Sequence, residues 1–149
     1  MNPLLLYILL ALLAGIVIPT QAGINSQLSV WTRSSVLAST VSFIVGSVVL
    51  VIYSLVMRIP LPPLASAGSL SWWVWSGGAF GAFFVAATIF LAPKLGATTM
   101  VALLLAGQMV ASLILDNFGL LGYPVHPISL GRIAGVLLIA GGVMLVRNF

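Results

Sequence analysis

The 149 residues carry 62% hydrophobic side chains, only 4% charged ones and a mean hydropathy of +1.29. Soluble domains are about a quarter charged, so a water-soluble globule is excluded and most of the chain must sit in lipid. The net charge of +4 comes from five Lys and Arg residues scattered from Arg33 to Arg147, without the clustering that phosphate tracking requires, so no nucleic-acid partner is expected.

A spanning helix uses about 20 mainly apolar residues, so five spans account for about 100 and leave only termini and links. The expected fold is all-α integral membrane, a single five-helix transmembrane domain over residues 1–149. The first helix is expected over about 3–31, kinked at Pro19, with Trp31 and Arg33 at an interface. It is read as a span and not a cleaved leader, since no Lys or Arg precedes it and it exceeds a typical leader core. The second covers 36–57 and stops at Arg58 and the Pro60, Pro62, Pro63 cluster, which forbids helix continuation. Residues 58–71 then form a loop. The third, 72–91, opens on Trp72, Trp73 and Trp75, an aromatic belt at headgroup level, and ends before Pro93 and Lys94. The fourth, 95–115, closes at Asp116 and Asn117; a loop rich in Gly and Pro follows, and the fifth, 130–146, stops at Arg147.

Five spans put the two termini on opposite sides. Arg58 and Arg132 then share one side with the N-terminal amine, and Arg33, Lys94 and Arg147 share the other. Orientation follows Lys and Arg asymmetry in short loops, and here there is none, so the chain is expected to insert both ways round.

Zero cysteines, one acid and one histidine leave no thiolate chemistry and almost nothing for acid–base catalysis. No enzymatic activity, cofactor or metal is expected. The informative residues are those that cost energy in lipid. Gln21 and Asn25 stand at i, i+4 on the first helix, and Gln108, Ser112 and Asp116 repeat that spacing on the fourth, so each set forms one stripe. Unpaired polar groups in hydrocarbon cost several kcal/mol each, so the stripes must meet each other, water or a ligand. Helix-to-helix bonding is the plainer role for the amides; lining a cavity is the functional one. Asp116 is either a solvated helix-end residue or, if the helix continues past it, a desolvated carboxylate able to hold a proton or a cation, with Arg132 as its candidate partner. His126 reads as a surface loop residue. The pairs Gly77/Gly81 and Gly131/Gly135 follow the small-xxx-small spacing of close helix packing.

Three stretches carry a resemblance: GIVIPTQAGINSQL at 15–28, LAPKLGATTMVALLLAGQMVASLILDNFGLLG at 91–122, and ISLGRIAGVLLIAGGVMLV at 128–146. Together they resemble the YdcZ-type family of five-helix inner-membrane proteins, within the drug/metabolite transporter superfamily. The last stretch is shared widely across the superfamily; the AGQ…LILDNFG stretch is the most specific. The resemblance implies a multi-pass protein of the bacterial inner membrane that forms half of a ten-helix inverted-repeat transporter. It would be completed by antiparallel pairing as a homodimer, or as a heterodimer with a paralogue. The small multidrug resistance proteins are similar in plan, but their first-helix glutamate has no counterpart here, where residues 13–16 are Leu, Ala, Gly and Ile.

The expectation is therefore an exporter of small polar metabolites or drugs working by alternating access. Gln21, Asn25, Gln108 and Ser112 would line its substrate site, and Asp116 would be its coupling or charge-selecting group. A cavity of amides and hydroxyls suits polar neutral or zwitterionic solutes. A passive small-ion channel and a non-transporting subunit of a paralogue complex are the alternatives.

Overall fold

A computed structural model describes residues 2–148, and among them five helices are long and apolar enough to cross a membrane. They fall into two compact units, residues 1–93 and 94–149.

In the first unit, α1 spans Pro3–Thr32. Asn2 caps it by accepting the Leu4 N–H at 3.0 Å, and Pro3 occupies the first turn, where its missing N–H costs nothing. The helix runs on through Pro19, which cannot donate to the Gly15 carbonyl; next to it, the Thr20 hydroxyl donates to the Ile16 carbonyl at 3.0 Å. Thirty residues at 1.5 Å each give about 45 Å, half as long again as the roughly 30 Å hydrocarbon core.

Arg33 adopts a left-handed conformation at φ 54, and Ser34 caps α2 (Ser35–Val56) by accepting the Leu37 N–H at 3.3 Å. So short a corner folds α2 back antiparallel to α1. At its far end Arg58 is again left-handed, and the Ile59 N–H reaches the Ser54 carbonyl at 2.9 Å, a wrap that satisfies an end carbonyl.

Two differences from expectation follow in the chain. The stretch expected as plain loop contains a 3-10 turn at Leu64–Ser69, and a second 3-10 turn at Trp72–Ser76 stands where the third helix was expected to begin. No side chain caps that second turn, and regular α-helix starts only with α3 at Gly77–Leu95. At its end α3 runs through Pro93, because one missing hydrogen bond in a last turn is affordable. The helix is stopped by Gly96 at φ 76, ψ 159, a conformation that side chains with a Cβ rarely adopt. The fourth helix accordingly begins at Ala97 and not at Leu95. The core of this unit is Ala38 from α2 with Val85 and Ile89 from α3, flanked by Leu28 and Phe84. A Cβ added at Gly81 would lie 3.5 Å from the Phe43 ring, so α3 approaches α2 closely there.

In the second unit, α4 spans Ala97–Phe118 and α5 spans Leu130–Asn148. The fourth helix was expected to close at 115; it continues for three more residues because the stop is again a left-handed glycine, Gly119 at φ 59. Asp116 and Asn117 are thereby placed inside the last turn. A 3-10 turn at Leu120–Gly122 and an extended stretch return the chain to α5. Gly119 has no room for a side chain, since a Cβ would meet Val125 Cγ2 at 2.7 Å. Gly119→Ala combines that clash with left-handed backbone strain and should cost about 2 kcal/mol or more, read as a lowered unfolding temperature in detergent. Gly135→Ala, where nothing lies within 4 Å of the added Cβ, should leave that temperature nearly unchanged.

Candidate functional site

Each unit builds one cavity containing residues singled out by the sequence. In the first, the i, i+4 spacing of Gln21 and Asn25 sets both on the α1 face turned to α2. Asn25 is 6% exposed, and its Nδ2 donates to Ser42 Oγ at 3.1 Å. A buried amide without that acceptor would cost about 1–3 kcal/mol, so Asn25 acts as a strut between the helices. One turn earlier, Gln21 lines a cavity of about 200 Å³ together with Ser42, Ser47, Gly46, Phe43 and Val85. The Gln21 side chain is exposed and has no hydrogen-bond partner among the described residues.

The second cavity, of about 300 Å³, lies between α4 and α5. Ser112 and Asp116 face it from α4, Arg132 and Gly135 from α5, and Met109, Leu113, Val136 and Ile139 form its apolar wall. Arg132 Nη1 donates to Asp116 Oδ2 at 3.2 Å and to the His126 carbonyl at 3.1 Å. The two charged side chains are 36% and 30% exposed. Of the roles left open for Asp116, the structure thus shows a partly exposed carboxylate inside the last helical turn, ion-paired to Arg132.

The loop between the helices is tied to the same place. The Asp116 carbonyl accepts the His126 N–H at 2.8 Å, Asn117 Oδ1 accepts the Ile128 N–H at 3.0 Å, and Ser129 Oγ accepts the Arg132 N–H at 3.3 Å. His126 contributes its backbone to this latch, while its Nδ1 lies 3.1 Å from the Pro124 carbonyl and the residue remains exposed. The latch fixes the Arg132 guanidinium at the mouth of the cavity.

Gln108 lies one turn before Ser112 on α4 but lines neither cavity; it is exposed, with no side-chain partner among the described residues. The structure therefore groups Gln21 with serines of α2, Ser112 and Asp116 with Arg132, and leaves Gln108 apart. The sequence pattern does not single out Ser42, Ser47 or Gly135 as site residues, yet all three line the cavities. Folding the sequence back about the Arg33–Ser34 corner would have found Ser42, since that operation puts it opposite Asn25. Among the described residues no group of His, Asp and Glu could hold a metal ion.

Residues 6–145 match the DMT_YdcZ family, described as "Putative inner membrane exporter, YdcZ". The chain is also 38% identical over 80 residues to the Inner membrane protein YdcZ of Escherichia coli strain K12. That alignment covers 54% of this chain and 53% of the relative, so the chain spans about half the length of the curated relative it matches. No solved structure matches.

Proposed function

Since the chain belongs to the DMT_YdcZ family, an exporter family and not an enzyme family, we propose that it carries small polar solutes across the membrane by alternating access, as two oppositely inserted copies. With five apolar helices it is a multi-pass inner membrane protein. The observation carrying the paired arrangement is the state of Gln21 and Gln108: two amides on strongly apolar helices, both exposed and without side-chain partners among the described residues of one copy. Hydrocarbon would penalise each by several kcal/mol. A second copy, or a paralogue of opposite orientation, supplies the missing wall and makes these amides line a watered passage between repeats. The even split of cations between the two sides supports the opposite insertion. Gln21, Gln108 and Ser112 line the passage in this reading, Asn25, expected there too, braces its wall from within through Ser42, and Asp116 is its charge-selecting group.

The test is flux in proteoliposomes containing the purified chain. Gln21→Leu and Gln108→Leu should each lower solute flux about tenfold or more, while leaving the unfolding temperature equal or higher, because leucine suits lipid better than an amide. Unchanged flux in both variants would remove the amides from the passage.

A further inference from the structure

The geometry of the α4–α5 cavity points to a substrate class: we propose that it binds a small zwitterion bearing an apolar side chain, such as a hydrophobic α-amino acid, by inserting it between Asp116 and Arg132. This rests on the exporter reading only for the claim that the bound solute is also the cargo.

Charge balance decides between ligand types. The site's own charges cancel, with Arg132 Nη1 held between Asp116 Oδ2 and the His126 carbonyl. A lone cation drawn to Asp116 must displace the guanidinium and leave it with a single carbonyl partner. A lone anion on Arg132 leaves the carboxylate uncompensated. Either outcome strands a charge beside apolar walls, where desolvation is expensive. A zwitterion replaces one ion pair by two, its ammonium on Asp116 and its carboxylate on Arg132, and strands nothing. Arg132 also lies in the first turn of α5, where the helix dipole adds attraction for a carboxylate.

The rest of the lining fits the same solute. Ser112 offers a hydroxyl one turn before Asp116, and Met109, Leu113, Val136 and Ile139 present the apolar surface against which an aliphatic or aromatic side chain would pack. A volume of about 300 Å³ sits at the small end of ligand pockets and accommodates a single amino acid.

The experiment is titration calorimetry on the purified full chain in detergent, with leucine, methionine and phenylalanine as probes. Isopentylamine and 4-methylpentanoate serve as leucine analogues lacking the carboxylate or the ammonium. At least one amino acid should bind, and for leucine each analogue should bind at least about tenfold more weakly, since each leaves one site charge unpaired. Asp116→Asn should weaken amino-acid binding at least as much. Because that variant also loses an ion pair, Gly135→Leu provides a second test: it fills the cavity from a position with open space, keeps both charges, and should abolish binding while the chain stays folded. Equal binding of leucine and either analogue, no binding of any of the three amino acids, or full binding by Gly135→Leu would each overturn the assignment. Flux separates the two claims. Leucine that binds but is not moved in proteoliposomes refutes the exporter reading and leaves the site standing, whereas an amine moved without any amino acid binding does the reverse.

Discussion

A lone cysteine introduced by Asn148→Cys will be labelled from both faces of the membrane in roughly equal amounts. The chain has no native cysteine, so the reading is free of background. The expectation follows from the charge count: with Arg58, Arg132 and the terminal amine against Arg33, Lys94 and Arg147, the cations give neither orientation an advantage. The same arithmetic says how to break the balance. Ile59→Lys with Leu61→Lys adds two cations beside Arg58 at exposed positions, which should collapse labelling to one face and reduce flux to background. Co-expression with a variant biased the other way, Trp31→Arg with Asn148→Arg, should restore flux, since each species then supplies the orientation the other lacks. Single-faced labelling of the unmodified chain would end the oppositely inserted dimer.

The second large effect concerns the ion pair of the α4–α5 cavity. Asp116→Asn and Arg132→Gln should each destabilise the folded chain by about 1–3 kcal/mol, between the values for surface pairs and for fully buried ones, because both side chains are about one-third exposed. Arg132→Gln should cost more, as it also removes the bond to the His126 carbonyl. The double variant should lose less than the two single losses combined, since no charge is then left unpaired. Thermal unfolding of all four proteins in detergent measures the cycle, and simple additivity would show that the contact contributes nothing.

Five apolar helices were legible because lipid enforces one simple requirement, a run of apolar residues long enough to cross it. Their ends were less so. Proline was expected to close the third helix, yet Gly96 does so, and Gly119 rather than Asp116 ends the fourth. A proline near a helix end removes a single bond, whereas a left-handed glycine redirects the whole chain. The 3-10 turn at Trp72–Ser76 was hidden because its tryptophans look the same in either helix type. In the site, periodicity placed Gln21 with Asn25 and Ser112 with Asp116 on shared faces, since i, i+4 geometry is local. Which partner each face meets depends on where the chain turns, so Ser42 opposite Asn25 and Gly135 opposite the α4 stripe emerged only from the folded hairpins.

The Asn25–Ser42 and Asp116–Arg132 ties each link residues close in sequence, across 17 and 16 positions. Short separations make loop closure cheap and fast. Each hairpin can therefore be stitched shut soon after its second helix leaves the ribosome, without waiting on contacts to distant parts of the polypeptide. During biosynthesis this would let polar side chains enter the bilayer already neutralised by a neighbour, so the translocon handles two prepaired units instead of four separately burdened segments.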